Sequence, residues 1–377
     1  MLYFLYKRKI VCKRIIFNLL FGGNKLINRE LIKKLNKEKG LSQKEWEQLL
    51  GTFNEEDRAY AASIARKISL NRFGNKIFFR GIVEFTNHCK NNCYYCGIRR
   101  RNTSASRYRL SKEDIMICCD EGYKYGYRTF VLQGGEDNYY SDEKIVDIIS
   151  TIHKKYPDCA VTLSIGEKSR KSYEKFFKAG ASRFLLRHET ANEKHYEKLH
   201  PKELSWKHRM NCLNDLKDIG YQTGCGLMIG SPNQTITNIA EDMIYMGKFN
   251  PQMIGIGPFI PHKDTPFKDY PSGSVEMTLF LLSLCRIMLP NVLLPATTAL
   301  GTVRDDGRKL GVLAGANVIM PNLSPVNVRK KYMLYDGKIC TGDEAAKCHH
   351  CMEARMENIG YQVVIDRGDF KEGVGYD

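Results

Sequence analysis

Three cysteines in one short stretch are placed to do chemistry together. Cys89, Cys93 and Cys96 stand at C-x3-C-x2-C spacing within Phe85-Thr-Asn-His-Cys-Lys-Asn-Asn-Cys-Tyr-Tyr-Cys-Gly97. Three thiolates can hold three corners of a cubane iron–sulfur cluster, where ordinary ferredoxin clusters take four. A set of three leaves one iron open, which is what a cluster needs to bind and reduce a small molecule. A zinc knuckle or a disulfide pair would be the competing use. Zinc favours two C-x2-C knuckles, or C-x2-C with paired histidines, and neither arrangement follows here.

Two further groups carry chemistry. Cys340-x7-Cys348-His-His-Cys351 combines a C-x2-C knuckle with a third cysteine. It suits zinc or a second iron–sulfur cluster, of 2Fe–2S or 4Fe–4S type; free thiols in a tail are the alternative. The run Arg183-Phe-Leu-Leu-Arg-His-Glu189 has strand character, and its period of two sends Phe184 and Leu186 to one face and Arg183, Leu185, Arg187 and Glu189 to the other. Three ionisable groups on one buried face are expensive unless paired or solvated, so this face is read as a functional site. For Arg183, at the start of its strand, a structural ion pair competes evenly.

Strand-like and helix-like stretches alternate from residue 76 onward. The strands are read at residues 77–85, 129–133, 160–165, 183–189, 223–229, 253–260, 292–297 and 317–321. Eight βα units in about 250 residues is the count of a TIM barrel; a doubly wound open sheet is the alternative. The expectation is an α/β fold with a complete (βα)8 barrel at residues 76–325. A helical lead-in precedes it at 27–75, with Ser42-Gln-Lys-Glu as a capping box. A C-terminal segment at 326–377 carries the second cysteine set.

Barrel active sites gather at the carboxyl ends of the strands. There the loop Gln133-Gly-Gly-Glu-Asp137 lets the backbone approach a ligand closely, and Glu136 can accept from an ammonium group. The same alternation turns Arg80, Glu84, Thr162 and Ser164 into the lumen. Arginines and hydroxyls there suit a small anionic or strongly polar ligand. Leu294-Pro-Ala-Thr-Thr298 adds two further hydroxyls.

The chain has 377 residues, 43% of them hydrophobic, and a net charge of +16. Lysines spread over helix-like faces, with no arginine–aromatic cluster, argue against nucleic acid. The 13 cysteines, scattered outside the two sets, argue for a reducing compartment, hence the cytoplasm. Residues 1–26 are apolar and basic, but charges interrupt them before a membrane span is reached. They are read as upstream sequence from a misplaced start, ahead of a surface-bound or transit-like extension.

The triad, with aromatic Tyr95 before its third cysteine, resembles the radical S-adenosylmethionine (SAM) superfamily. The stretches Glu84–Arg100, Val131–Asp137, Leu185–Ala191, Gly255–His262, Leu294–Thr298 and Ala316–Asn322 are together similar to the HydE family of FeFe-hydrogenase maturases. The similarity runs from about Asn28 to Cys351. It implies a radical SAM barrel whose 4Fe–4S cluster is held by Cys89, Cys93 and Cys96, with SAM on the fourth iron and Tyr95 beside it. Gly135 and Glu136 then face the methionine amino group, and Ser164, Glu189 and Arg209 hold the ribose and carboxylate. Arg80, Thr162, Arg183, Arg187, Thr297 and Thr298 surround the substrate. Cys340, Cys348 and Cys351 match an accessory cluster that some family members carry.

The resemblance also implies the reaction and its partners. A 5'-deoxyadenosyl radical acts on a small cysteine-bound iron carbonyl cyanide complex from a second radical SAM maturase. The product passes to a scaffold GTPase, and a ferredoxin or flavodoxin supplies the electron. Two readings compete: a radical SAM mutase or sulfur-inserting enzyme of the methylornithine synthase or biotin synthase type, and a non-catalytic iron–sulfur carrier.

Overall fold

The computed structural model describes the backbone at residues 23–342 and 345–372, and side chains at 27–342 and 349–372. The N-terminal extension thus lies outside the described residues except for the backbone of 23–26, and so does the side chain of Cys348. The lead-in consists of α1 (Gly23–Glu38), α2 (Gln43–Thr52) and α3 (Glu55–Phe73). Glu45 reaches back to accept from the Ser42 amide at 2.9 Å, the reciprocal half of a capping box. Asn54 caps α3 in the same way through Asp57.

The strands follow: β1 (Lys76–Phe79), β2 (Gly81–Thr86), β3 (Thr129–Gly134), β4 (Ala160–Ser164), β5 (Ala181–Leu185), β6 (Gln222–Ile229) and β7 (Met253–Pro258). Between β2 and β7 lie α4 (Lys112–Lys124), α5 (Asp142–Lys155), α6 (Arg170–Lys178), α7 (Glu193–Leu199), α8 (Trp206–Ile219) and α9 (Ile236–Phe249). Each opens on Ser, Thr or Asn, whose side chain accepts from the third helical amide. Strands β2 to β7 form one parallel sheet in sequence order, with Phe130, Val161, Leu163, Phe184 and Cys225 buried against the helices.

Beyond β7 come α10 (Val275–Met288), α11 (Thr298–Val303), α12 (Gly307–Leu313), β8 (Val318–Ile319), α13 (Val326–Arg329), α14 (Ala345–Glu357) and β9 (Gln362–Val364). Helix α10 is buried along its length, and Phe280 stacks on Phe53 of the lead-in at 4.4 Å. A second parallel sheet runs β8-β1-β9. Single parallel bridges link further segments: Met253 to Leu293, Pro295 to Val318, and Asn322 to Ile82.

Four expected strands differ from the sequence reading. Residues 77–85 break at Arg80 into β1 and β2, which belong to different sheets. Residues 292–297 form bridges rather than a strand, since Pro295 has no N–H for the ladder; β8, ahead of Pro321, is short for the same reason. The expected strand at 183–189 ends at Leu185, and Glu189 turns left-handed at φ 63°. The segment at 366–370 was not foreseen. It lies across the amino ends of the strands, where Thr129, Arg183 and Gln222 bond to it.

Candidate active site

The cysteine loop leaves the carboxyl end of β2 and is tied down by its own polar side chains. Asn87 donates to the carbonyls of Ser106 (2.8 Å) and Lys331 (2.6 Å) and accepts from the Tyr108 amide. Arg107 spreads its guanidinium over four carbonyls, those of Asn87, Ile98, Arg99 and Asn102. Asn92 accepts from Arg99, and Asn102 donates to the Gly97 carbonyl at 2.7 Å. A loop without regular structure is thereby held in one shape.

The Gly-Gly-Glu loop after β3 is knitted to it. The Lys90 amide donates to the Glu136 carbonyl at 2.8 Å. A Cβ on Gly135 would meet the His88 carbonyl at 2.2 Å and Cys89 Cβ at 2.8 Å, so only glycine lets the two loops approach. Cys89, Cys93 and Cys96 are free, partly buried thiols. Burial pushes all three up, Cys96 to about 12; the thiolates of Cys96 and Cys89 add to it for Cys93, and that of Cys89 for Cys96. Three sulfurs that repel one another when ionised share one site, and a cationic iron core would relieve that repulsion. Among the described residues, the group whose three ligand atoms lie within 4.8 Å of one another is His349, His350 and Glu353. The triad sulfurs are spaced more widely, which fits a multi-iron core better than a single ion.

Beside the triad lies a chain of charged groups. Glu136, 6% exposed, accepts from the Glu167 amide at 2.9 Å and faces Lys90 Nζ at 3.2 Å. Gly166, at φ +74°, makes room for it: a Cβ there would meet Glu136 Oε1 at 2.2 Å. Arg209 donates to Glu167 at 2.5 Å and to the Arg187 carbonyl at 2.6 Å. Burial opposes the charge of Arg209, but Tyr196 and Glu167 outweigh it and hold the guanidinium above its ordinary range. Arg187 pairs with Glu189 at 2.8 Å. Behind Glu189, His188 Nδ1 accepts from the Gly226 amide, and its other nitrogen faces Asp242 at 3.3 Å. Tyr95 meets His200 Nε2 at 3.1 Å. His200 Nδ1 faces the Tyr196 carbonyl at 3.0 Å, and burial followed by Arg209 pushes its pKa down to about 3. The ring is therefore neutral, its Nδ1–H assigned to the carbonyl, and Tyr95 is the donor.

The structure brings Cys89, Cys93, Cys96, Tyr95, Gly135, Glu136, Glu189 and Arg209 to one end of the sheet. Ser164 closes β4 at that end, half-buried. Thr162 lies below it, 2% exposed, with a hydroxyl that has no hydrogen-bond partner. Arg80 and Arg183 lie at the opposite end and meet the C-terminal segment. Arg80 donates to the Gly368 carbonyl at 3.2 Å, and Arg183 to the Arg367 carbonyl at 2.7 Å and to Asp369 at 2.6 Å. For Arg183 this is the ion pair that competed with function in the sequence. Thr297 caps α11, and Thr298 lines a small recess with Glu84 and Lys338.

Of the second cysteine set, the side chains of Cys340 and Cys351 are described and that of Cys348 is not. Cys340, at φ 62°, accepts from Arg308 at 3.3 Å, and Cys351 is exposed on α14. Sequence reasoning missed Glu167 and Gly166, although Gly-Glu directly after a strand is the signal that marked Gly135 and Glu136. It also missed Lys338, which donates to buried Glu84 at 2.5 Å.

A parallel α/β sheet with three gathered thiols at the carboxyl ends of its strands defines a radical SAM enzyme, and the model of the radical SAM superfamily matches residues 83–245. The crystal structure of a methylornithine synthase superposes with a TM-score of 0.76 at 26% identity, covering 89% of this chain and 97% of that one. In sequence, the 3-methylornithine synthase of Methanosarcina acetivorans is 30% identical over 85% of this chain and 90% of its own length. The HydE subunit of the FeFe-hydrogenase maturase of Thermotoga maritima is 44% identical, over 85% of this chain and 90% of its own. The chain belongs to the HydE family.

Proposed function

We propose that this radical SAM enzyme acts on a small, cysteine-bound iron carbonyl cyanide complex within a complete (βα)8 barrel, as a step in building the FeFe-hydrogenase active-site cluster. The three bridges that link β7 to β2 through residues 293–322 support closure of the ring. The observation that carries the reading is the vertical order of the site. Three coupled thiols stand at the top, charged groups sit beside them, and below lies a buried hydroxyl, Thr162, with no partner.

With SAM at its open iron, a 4Fe–4S cluster on Cys89, Cys93 and Cys96 supplies the one-electron cleavage that releases methionine and a 5'-deoxyadenosyl radical. The protein's own part is binding and orientation. Glu136 accepts from the SAM ammonium, and Gly135 offers backbone at close range. Arg209, kept charged and aimed by Glu167, receives the SAM carboxylate. Ser164 and Glu189 take the ribose hydroxyls, with Tyr95 packed beside the cluster. Thr162 and Arg187 face the substrate, with Thr297 and Thr298 at the rim. Arg80 contributes positive charge from the floor, and Arg183, paired with Asp369 of the C-terminal segment, holds that floor in place.

The anionic complex comes from a second radical SAM maturase and the product goes to a scaffold GTPase. The reductant is a ferredoxin or flavodoxin, and the setting is the cytoplasm; among the described residues no helix is long and apolar enough to cross a membrane. A second iron–sulfur cluster on Cys340, Cys348 and Cys351 completes the reading. Anaerobically reconstituted and reduced protein is expected to convert SAM to 5'-deoxyadenosine and to support activation of apo-hydrogenase with the two partner maturases. The likeness to methylornithine synthases gives the alternative its test: methylornithine formed from lysine and SAM would replace the maturase reading.

A further inference from the structure

We propose that one turn of α14 holds a single divalent cation of the zinc class through His349, His350 and Glu353. Neither the cysteine triad nor the second cysteine set supplies its ligands. Each of the three residues offers one ligand atom, and these atoms lie within 4.8 Å of one another. The Glu353 carboxylate is the centre of the group: its Oε2 faces His349 Nε2 at 3.9 Å and His350 Nδ1 at 3.6 Å. Both distances are too long for a hydrogen bond. They stand close to the roughly 3.3–3.5 Å that separates two ligand atoms each about 2.0–2.1 Å from one tetrahedral ion. Small side-chain rotations therefore close the site. Among the described residues Glu353 pairs with no lysine or arginine.

The ring of His349 is already turned for this. It is buried against Phe79, Tyr125 and Tyr127, with ring centroids 5.3, 6.0 and 5.4 Å away. Its Nδ1 meets the Tyr127 hydroxyl at 3.3 Å. With the proton assigned to Nδ1 as donor to that oxygen, the lone pair is on Nε2, the nitrogen that faces Glu353. A metal-bound histidine has the same arrangement, one nitrogen on the ion and the other held by an oxygen behind it. Packing accounts for where the ring lies, but not for a carboxylate turned to two imidazole nitrogens at once. Positions 349, 350 and 353 lie within about 100° of the helix circumference, and position 351 falls on the far side. The site therefore serves a different face from the exposed Cys351 thiol. Two imidazoles and one carboxylate suit zinc and its first-row neighbours; magnesium and calcium take oxygen sets. Water completes the shell, since His350 is exposed. All three ligands belong to one helical turn, so the ion binds only while that turn is helical. It thereby fastens α14 against Phe79 of β1 and Tyr127 ahead of β3.

The test uses the reconstituted full chain and zinc ion alone as probe, titrated in competition with a chromophoric zinc chelator. Thermal unfolding is followed with and without zinc. The unmutated protein is expected to take up one zinc per chain at this site and to unfold at a higher temperature when it is bound. His350→Ala and Glu353→Gln alter side chains at the helix surface, so the fold should persist. Each is expected to weaken zinc binding by at least about tenfold and to lose the zinc-dependent rise in unfolding temperature. Cys351→Ser is expected to bind zinc as the unmutated protein does. Zinc affinity unchanged in either His350→Ala or Glu353→Gln overturns the proposal. So does loss of zinc binding in Cys351→Ser, which would assign the ion to the thiols. The measurements need no SAM turnover, so they decide this site whatever becomes of the radical SAM reading.

Discussion

Arg183, fully buried in the middle of β5, donates to Asp369 at 2.6 Å and so joins a central strand to the C-terminal segment. Gln222 and Arg367 bond the same carboxylate at 2.9 and 2.8 Å. Burial resists ionisation of Asp369, but Arg183 overrides it and holds the carboxyl at about 2, against an ordinary 3.8. A depressed carboxylate pKa contributes stability above the unfolded value and loses it as pH falls through the folded one. The contribution is therefore full above about pH 4 and disappears between about 4 and 2. The shift would correspond to somewhat over 2 kcal/mol, and with 31% of the side chain exposed, screening reduces it to about 1–2 kcal/mol. Asp369→Asn is expected to lose about 2–3 kcal/mol at neutral pH, because it leaves a buried guanidinium without its counter-charge. Its unfolding free energy should also vary less with pH in that window. Denaturant titrations at pH 7 and pH 3 measure both.

Glu167 and Arg209 give a prediction about binding. Arg209 is fixed by two bonds, to Glu167 and to the Arg187 carbonyl. Glu167→Gln keeps the shape but removes the charge that holds the guanidinium in place. SAM affinity is expected to fall about tenfold, the scale of one charge-assisted hydrogen bond, while iron content and cluster absorbance stay as in the unmutated protein. Arg209→Lys should lose more, since an ammonium cannot reproduce the fork. Equilibrium binding of SAM to the reconstituted protein reads both.

Much of this was legible in the sequence, for physical reasons. The alternation in 160–165 and 183–189 reports which side chains meet helices, so Val161, Leu163, Phe184 and Leu186 were placed correctly in the core. The triad and the Gly-Gly-Glu loop were legible because their chemistry depends on local spacing. What depends on distant chain segments was not. Nothing in Arg80 or Arg183 marks them as partners of residues 367–369, which are far away in sequence and carry no pattern. Proline punctuation at 290, 295 and 321 was available and argued against full strands there; the barrel count masked it. Glu84 was read as inward-facing, but its partner Lys338 comes from a segment without periodicity.

Gly166 tests how closely Glu136 is positioned. Its φ of +74° is left-handed, and a Cβ would meet Glu136 Oε1 and Cγ at 2.2 and 2.3 Å. Gly166→Ala is expected to cost about 1–2 kcal/mol from backbone strain alone. The carboxylate must also move, which breaks its bond to the Glu167 amide. SAM binding should therefore weaken further than in Glu167→Gln, even though the new methyl group touches no ligand. Gly40→Ala, where a Cβ meets nothing within 4 Å and φ is ordinary, is the control and should change neither stability nor binding appreciably.

Thr162 separates a structural role from a binding role by the sign of two effects. Its hydroxyl is buried and has no partner. A buried polar group left unsatisfied destabilises the fold by about 1–3 kcal/mol. Thr162→Val has nearly the same shape and removes only that hydroxyl. If the hydroxyl served the fold, the variant would be less stable. If it is kept for a ligand in the lumen, the ligand-free variant should be more stable by about 1 kcal/mol, the lower end of that range, and should bind substrate more weakly. Thermal unfolding of the ligand-free protein is expected to shift upward. SAM cleavage without substrate should be unchanged, because Thr162 lies below the SAM-facing groups, and hydrogenase activation should fall by about tenfold. A lower unfolding temperature with unaltered activation would assign Thr162 to the core of the sheet instead.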